Sequence, residues 1–323
     1  MKAVLCPPFA GDHWMVRFRE DFPQLQWALV NAPVEAGPEF RDADILVLTN
    51  RACTPALGET LRRHAGPSLK WIHFTTAGID KGIRMGLPAG ATVTNAAGVK
   101  STTVAEHALA LLLALVRRLP DAAAGQRDHR WRREEITPNV TTLEDMTVCI
   151  IGLGAIGRDV ARKVRAFDAR VIGVSRAAAA GGDVERVFPR EQLRAALALA
   201  DAVVICTNGD ESSFHMIGAG ELAAMKASAV IINIARGTII DEPALIAALG
   251  AGTIAGAGLD VVAVEPMPAD NPLWDMANVI VSPHIAGSGS VGYLQHKALF
   301  AQNLERFRTG QPLINECRIP AST

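Results

Sequence analysis

Cysteine, tyrosine and long apolar runs are scarce in this sequence of 323 residues. Its 5 cysteines are scattered without any C-x-x-C pair, a usage that favours reduced thiols over a disulfide framework or a zinc site. The longest uninterrupted apolar run, Ala108 to Val116, is far shorter than the roughly 20 residues that a membrane span needs. Pro7 and Pro8 interrupt the first apolar stretch too early for a signal peptide. We therefore expect a soluble, cytoplasmic protein.

An excess of charge of one sign is also missing, since 32 Lys and Arg residues stand against 33 Asp and Glu residues. The resulting net charge of -1 excludes a protein that binds nucleic acid through a broad basic field. The 8 histidines show no metal-ligand spacing, so no metal is predicted. Apolar residues make up 49% of the chain, and at roughly 150 residues per domain its length predicts about two domains.

Strand-like and helix-like segments alternate along the whole chain, which is typical of an α/β protein with parallel sheets. In the first part, the pattern predicts a helix at about 55–65 and strands at 2–6, 27–31, 45–49 and 70–74. In the second part, it predicts helices at 155–167, 190–199, 219–225 and 242–249, and strands at 147–151, 170–174, 202–206, 230–233, 254–259 and 279–281. Six strands joined by crossovers complete a dinucleotide-type sheet.

One helix, predicted from Thr103 to Leu119, differs from the others in being apolar on nearly every side. Thr103 and Glu106 have the spacing of a capping box at its start, and Pro120 ends it. We expect this helix to be buried all round, either as a joint between two domains or in the centre of a dimer interface.

A glycine-rich turn, Gly152-Leu153-Gly154-Ala155-Ile156-Gly157, lies between a predicted strand and a predicted helix. The first glycine permits a tight turn, the second lets a pyrophosphate approach the backbone, and the third allows close packing of helix on sheet. The N-terminus of the helix supplies an anion site. In this context the pattern predicts a dinucleotide cofactor rather than a purely structural turn.

The end of the next strand bears on which dinucleotide is bound. An NAD enzyme usually has Asp or Glu there to accept from the ribose hydroxyl, but this chain has Ser175 and Arg176. Ser175 can donate to a 2′-phosphate and Arg176 can pair with it, so NADP(H) is favoured over NAD(H). The alternative is that Arg176 is an ordinary surface residue and both cofactors are used.

Three charged side chains follow later strands at the edge where parallel α/β sheets place their ligands. They are Arg236, Glu265 and His284. Reduction of a carbonyl group by a dinucleotide cofactor needs a cation to polarise the carbonyl, a proton donor, and a placed nicotinamide. Arg236 can supply the cation and His284 the proton, while Glu265 can orient the imidazole and favour its charged form.

In this order, these segments resemble the D-isomer-specific 2-hydroxyacid dehydrogenase family, and within it most the glyoxylate/hydroxypyruvate reductase branch. The resemblance is strong from about residue 70 to 287 and looser outside that range. It is carried by the glycine-rich turn and by the motifs Thr75-Thr76-Ala77-Gly78-Ile79-Asp80, Val104-Ala105-Glu106-His107, Asn233-Ile234-Ala235-Arg236-Gly237, Asp260 with Glu265-Pro266, and Ser282-Pro283-His284-Ile285-Ala286-Gly287.

The resemblance implies an NAD(P)-dependent oxidoreductase that reduces a small 2-keto acid, of the glyoxylate or hydroxypyruvate type, to the D-2-hydroxy acid. It implies two Rossmann-like, doubly wound parallel-sheet domains with an active-site cleft between them. A flavodoxin-like substrate domain is expected at 1–98 plus 287–323, and a dinucleotide-binding domain at 99–286. A homodimer formed through the cofactor domain is implied as well.

Contacts at the site are also implied by the resemblance. Backbone amides around Ala77 and Gly78 are expected to bind the substrate carboxylate together with Arg236. Asp260 either holds the nicotinamide amide or fixes the loop to Glu265. The expected cofactor contacts are Gly152, Gly154, Ala155, Ile156, Gly157, Ser175, Arg176, Thr207, Ile234, Ala235, Asp260, His284 and Gly287.

One segment departs from the family pattern, and three other functions stay open. The run from Cys206 to Ser212 replaces the usual Pro-containing loop, although Thr207 is still expected to approach the cofactor. A short phosphoglycerate dehydrogenase without a regulatory domain would carry the same motifs. Formate dehydrogenases pair the histidine with Gln, so the presence of Glu265 disfavours that function. A cofactor-sensing interaction protein, like the corepressors of this superfamily, could retain all three catalytic residues.

Overall fold

The computed structural model describes residues 1–6, 13–30, 37–176, 180–288 and 291–319. The chain divides into two compact units, Met1–Lys100 with Gly289–Thr323, and Ser101–Ser288. Among the described residues, no helix is both long enough and apolar enough to cross a membrane.

The elements are numbered in chain order. As far as Lys100 they are β1 (Lys2–Cys6), α1 (His13–Asp21), β2 (Gln26–Leu29), α2 (Gly37–Phe40), β3 (Ile45–Leu48), α3 (Pro55–His64), β4 (Trp71–Phe74), α4 (Asp80–Met85) and β5 (Thr92–Thr94). The second unit contains α5 (Ser101–Val116), α6 (Leu119–Arg127), α7 (Arg133–Ile136), β6 (Thr147–Ile151), α8 (Ala155–Arg165), β7 (Arg170–Val174), β8 (Arg186–Phe188), α9 (Leu193–Leu199), β9 (Ala202–Ile205), α10 (Ala219–Ala223), β10 (Val230–Asn233), α11 (Glu242–Gly250), β11 (Gly256–Leu259) and β12 (Val279–Val281). The last helix, α12 (Val291–Arg308), returns to the first unit.

Within its described residues, the first unit has a five-stranded sheet in the order β2-β1-β3-β4-β5, and every neighbouring pair is parallel. Strands β3 and β4 are buried along their whole length, as expected for strands covered on both faces. The sequence did not predict β5, because three residues at a sheet edge give too short a pattern. The predicted strand at 27–31 ends earlier, at Leu29, and its residue 31 lies outside the described residues.

The second unit contains a seven-stranded parallel sheet among its described residues, in the order β12-β11-β10-β9-β6-β7-β8. The predicted parallel α/β fold is confirmed for both units. All six predicted strands of this sheet are present, and β8 is an additional one that pairs with β7. The chain progresses outward from β6 in both directions, so the strand order reverses beside β6 and opens a crevice at the carboxyl ends.

Our prediction for the apolar helix was wrong in two respects. Helix α5 begins at Ser101, so Thr103 lies inside it and cannot form the capping box; Glu106 pairs with Lys163 instead, at 3.7 Å. Pro120 does not end this helix but lies in the first turn of α6. The helical backbone is interrupted before it, at Arg118, which has a φ of 56°. Within the single chain, one side of this helix is buried, at Val104, Ala105, Ala108, Leu111, Leu112, Leu115 and Val116. Burial of its other side against a partner chain stays a prediction.

Two buried histidines join β4 to α12 in the first unit. His73 and His296 are 0% and 2% exposed, and their Nε2 atoms are 3.2 Å apart. One ring must donate to the other, so at least one of the two rings is neutral. Burial lowers the pKa of His73 well below its ordinary value. Burial, with the charge of Lys100, lowers the pKa of His296 to about 4.

This pair predicts a loss of stability in mild acid. Below pH 6.5, which is about the pKa of a histidine in the unfolded chain, the unfolded chain binds protons that the folded pair does not bind. The free energy of unfolding therefore falls as the pH falls toward about 4. Each histidine contributes up to about 1.4 kcal/mol per pH unit. Thermal unfolding between pH 7.5 and 5 should show a shallower pH slope in His296→Gln, which retains a donor but does not titrate.

The matched control is His129→Asn, since His129 is exposed and its φ of 55° is one that Asn tolerates. Its pH slope should equal that of the unmodified protein. Equal slopes in all three proteins would contradict the assignment of acid sensitivity to the buried pair.

Candidate active site

The glycine-rich turn lies at the carboxyl end of β6, beside the point where the strand order reverses. Gly152 has a φ of 97°, and a Cβ there would lie 2.7 Å from the backbone nitrogen of Thr207. A Cβ on Gly157 would lie 1.9 Å from the Gly152 carbonyl oxygen. A Cβ on Gly154, in contrast, would meet no heavy atom within 4 Å. Two glycines therefore allow close packing of backbone, and the third faces open space.

Helix α8 starts directly after Gly154, which is its N-cap. The backbone amide of Arg158 donates to the Gly154 carbonyl at 3.0 Å. The amides of Ala155 and Ile156 therefore precede the first helical hydrogen bond. Backbone amides and a helix dipole next to an open glycine fit the pyrophosphate of a dinucleotide.

The end of β7 carries Ser175 and Arg176, and a small polar network lies next to them. Arg176 Nη2 is 3.6 Å from Asp210 Oδ2, and the Ser212 hydroxyl donates to the other oxygen of Asp210. Arg190 Nη1 in turn donates to Ser212 Oγ at 3.1 Å. The bond from Ser212 and the charge of Arg176 hold the pKa of Asp210 below its ordinary value. Arg190 thus brings a second cation to this network.

The segment that departs from the family pattern contacts two parts of the site. Thr207 packs its backbone against Gly152, as described above. A Cβ on Gly209 would lie 2.3 Å from Cγ of Arg236, so the missing side chain leaves room for the aliphatic stem of that arginine. The unusual loop therefore shapes the surroundings of both the glycine turn and Arg236.

Arg236 follows β10 and is held by a turn that Asn233 organises. The Asn233 side chain is 1% exposed; it donates to the Arg236 carbonyl at 2.9 Å and accepts from the Ala235 amide at 3.1 Å. Ile234 and Ala235, both 8% exposed, are fixed by the same turn. Gly237 then packs on the backbone of Val262, where a Cβ would be 1.9 Å away. Arg236 is thereby brought to the loop that carries Glu265.

Glu265 and His284 form a direct pair, with Glu265 Oε2 2.7 Å from His284 Nδ1. Burial alone would raise the pKa of Glu265, but the hydrogen bond and charge of His284, the Val262 amide and the charge of Arg236 hold it below its ordinary value. A carboxylate at Nδ1 fixes the ring orientation and leaves proton exchange with a substrate to Nε2. The pair has the geometry of an oriented general acid.

The backbone at His284 adopts a φ of 55°, a left-handed conformation that is strained for a residue with a Cβ. Asp260 holds it there. The Asp260 carbonyl accepts from the His284 amide, and its carboxylate accepts from the amides of Ile285 and Ala286, each at 2.9 Å. These bonds hold the loop from His284 to Gly287. This contact differs from the two roles predicted for Asp260, which stay predictions.

Ala77 and Gly78 follow β4 in the first unit, where side chains hold their carbonyl groups. Asn95 Nδ2 donates to the Ala77 carbonyl at 2.7 Å, and Thr76 Oγ1 donates to the Gly78 carbonyl at 2.8 Å. In a trans peptide the N–H points away from the carbonyl. The amides of Gly78 and Ile79 are therefore oriented opposite to these anchors.

Several residues that organise the site were missed by sequence reasoning. Asn233 and Ser282 lie inside quoted motifs, but their side-chain bonds depend on turns that the sequence does not show. Asp210 and Arg190 are distant from Arg176 in the chain, so no local pattern links them. His107 also lies inside a quoted motif, and in the structure its Nε2 atom lies 2.8 Å from Ser282 Oγ.

Comparisons with known proteins point in one direction. The family model described as D-isomer specific 2-hydroxyacid dehydrogenase, NAD binding domain, matches residues 109–286. A glyoxylate reductase of Thermococcus gammatolerans is 35% identical over 86% of this chain and 87% of its own length. A D-3-phosphoglycerate dehydrogenase of Archaeoglobus fulgidus is 32% identical over 80% of this chain, which spans only 49% of that enzyme.

Among solved structures, an NADPH-dependent glyoxylate/hydroxypyruvate reductase from Sinorhizobium meliloti, in complex with NADP and malonate, superposes with a TM-score of 0.81 at 28% identity. The match covers 98% of this chain and 96% of that one. A D-isomer specific 2-hydroxyacid dehydrogenase from Xanthobacter autotrophicus, in complex with NADPH and MES, gives a TM-score of 0.81 at 28% identity, covering 98% of both chains.

The glycine turn yields a pair of contrasting variants. Gly154→Ala should fold with an unchanged Tm, because its new Cβ meets nothing within 4 Å. It should weaken NADPH binding about tenfold or more, because the methyl group occupies the space that a pyrophosphate needs. Gly152→Ala should lower the Tm, since φ is 97° and the Cβ would be 2.7 Å from Thr207 N. Differential scanning fluorimetry and NADPH fluorescence titration measure both effects. Unweakened NADPH binding by Gly154→Ala would contradict the assigned cofactor site.

Proposed function

The chain belongs to the D-isomer-specific 2-hydroxyacid dehydrogenases, NAD(P)-dependent oxidoreductases, and on that premise we propose that it reduces a small 2-keto acid with NADPH. The substrate is of the glyoxylate or hydroxypyruvate type and the product is the D-2-hydroxy acid. The observation that carries the proposal is the 2.7 Å pair of Glu265 and His284 on the sheet edge that also holds Arg236.

Each residue has a defined part in the proposed reaction. Arg236 binds the substrate carboxylate and polarises the ketone through its planar guanidinium. The backbone amides around Ala77 and Gly78 are further proposed ligands of the carboxylate. A bound reduced nicotinamide supplies a hydride for the carbonyl carbon. His284 gives a proton from Nε2 to the carbonyl oxygen, and Glu265 stabilises the imidazolium from Nδ1.

The pairing partner of His284 separates this reaction from formate oxidation. His284 and Arg236 hold the pKa of Glu265 low despite its partial burial, so this side chain is a carboxylate. Its negative charge favours the protonated imidazole that a keto-acid reductase needs. Formate oxidation yields carbon dioxide and requires no proton donor of this kind. A phosphoglycerate dehydrogenase is the second candidate, because a relative with that name matches 80% of this chain.

Initial rates with glyoxylate, hydroxypyruvate, pyruvate and 3-phosphohydroxypyruvate test this proposal. We expect NADPH oxidation with glyoxylate or hydroxypyruvate, and a fall in kcat of about 10²–10⁴-fold in His284→Ala, the usual contribution of a general acid. In Glu265→Gln the falling limb of the pH–rate profile should move to lower pH, since the charge that favours imidazolium is lost.

The other outcomes discriminate among the candidates. Turnover confined to 3-phosphohydroxypyruvate would support the phosphoglycerate dehydrogenase. No turnover despite tight NADPH binding would favour a cofactor-sensing protein, and an unshifted pH profile in Glu265→Gln would contradict the role of that carboxylate.

The proposed preference for NADP(H) is supported by Arg176, by Ser175 in the position of the usual carboxylate, and by Arg190 in the same network. Arg176→Ala should raise the KM for NADPH about tenfold or more, because a charge-assisted bond is worth about 1.5–3 kcal/mol, while the KM for NADH stays unchanged. Asp210→Asn should lower the KM for NADPH. The carboxylate of Asp210 lies 3.6 Å from Arg176 and competes with a 2′-phosphate for it. Equal effects on both cofactors would overturn the preference.

We also propose a homodimer formed through the second unit and a cytoplasmic location. Trp131, which is 92% exposed and lies between α6 and α7, is a side chain that we propose this interface covers. Support for the location comes from the cysteines, all free thiols in the structure, the form that a reducing compartment maintains.

A further inference from the structure

His107 lies in α5, has a side chain that is 21% exposed, and takes no part in the proposed proton or hydride transfer. We infer that it is a positioning residue for proton transfer by His284, acting through Ser282 and Asp260. The inference rests on the proposed function, because it concerns the general acid of that reaction. It is carried by the geometry of three side chains and two backbone amides in the second unit.

These side chains form a continuous chain of hydrogen bonds. His107 Nε2 is 2.8 Å from Ser282 Oγ and 3.3 Å from Asp260 Oδ1. Ser282 Oγ donates to Asp260 Oδ1 at 2.7 Å. The same carboxylate accepts the amides of Ile285 and Ala286, the two residues that follow the catalytic histidine.

Counting protons fixes the direction of the first bond. The hydroxyl of Ser282 has one hydrogen, which it gives to Asp260, so its oxygen must accept from His107. Nε2 of His107 therefore carries a hydrogen. The reverse arrangement would place the Nε2 lone pair 3.3 Å from a carboxylate oxygen and leave Asp260 without the serine donor. His107 thus acts as the outer donor that holds both Ser282 and Oδ1 in place.

The loop beyond Asp260 depends on that hold. His284 has a φ of 55°, a conformation that persists only where neighbouring bonds over-determine it. If Asp260 turns after losing its partners, the amides of Ile285 and Ala286 lose their acceptor and the imidazole moves relative to Glu265. Misplacement of a reacting group by about 1 Å can cost 10²-fold in rate. A residue of helix α5 that takes no part in the proton or hydride transfer therefore controls the placement of the general acid.

Two substitutions separate positioning from bulk packing. His107→Leu removes the donor and keeps an apolar side chain of similar size, whereas the side-chain amide of His107→Gln reaches a place close to Nε2. We expect kcat to fall at least tenfold in His107→Leu, with the KM for keto acid and for NADPH changing less than threefold. His107→Gln should recover most of the lost kcat. Glu106→Gln, the neighbouring exposed position on α5, is the matched control and should behave like the unmodified protein.

Hydrogen exchange gives a readout that does not need turnover. Amides in the segment 282–288 should exchange faster in His107→Leu and at the original rate in His107→Gln, as measured by mass spectrometry on the full chain. If the unmodified protein reduces none of the keto acids, the proposed function fails, while the exchange experiment still tests the hydrogen-bond chain by itself.

Ser282→Ala provides the second route, in case His107→Leu does not fold. It should lower kcat to a similar extent, and the double variant should lose little more than either single one, because both changes break one chain of bonds. An unchanged kcat with unchanged exchange in His107→Leu would overturn the inference. So would a His107→Gln variant as impaired as His107→Leu, which would indicate a packing role.

Discussion

The buried carboxylate of Asp260 is the constraint on which the proposed catalytic half of the site depends. It is 2% exposed and accepts from Ser282, Ile285 and Ala286. A buried acceptor without donors would carry a large desolvation cost, so the polypeptide around it is driven to provide them. The donors that it collects belong to the loop of His284. The left-handed backbone of that histidine, and with it the contact to Glu265, follows from satisfying one charge.

A second constraint, the close approach of backbone segments, governs the proposed cofactor-binding half of the site. Gly152, Gly157 and Gly237 each lie where a Cβ would be within 3 Å of backbone atoms. Two of these approaches bring the end of β6 against the start of its helix and the segment after β9, while the third brings Arg236 to the loop after β11. The reversal of strand order beside β6 places the glycine turn at the sheet edge where these segments converge.

Local patterns predicted most strands of both sheets, because a parallel strand covered on both faces needs a near-continuous apolar run. They failed where pairing or packing decides. The three-residue edge strands β5 and β8 exist because a neighbouring strand supplies hydrogen-bond partners. The start of α5 lies at Ser101 and not at the Thr103 capping box, because packing of a mostly apolar helix outweighs a single cap. Residues linked only in space, such as Arg176, Asp210 and Arg190, have no local signature at all.

The sequence by itself determined the parallel α/β class, the glycine turn, and the order of Arg236, Glu265 and His284 on successive strand ends, since periodicity and residue type are local properties. Only the tertiary structure decided how these residues are held: Asn233 beneath Arg236, Asp260 beneath His284, and His107 behind Asp260. The physical reason is that a buried polar group must find its partner in three dimensions. The partner comes from whichever segment the fold brings close, and its separation along the chain carries no information about that contact.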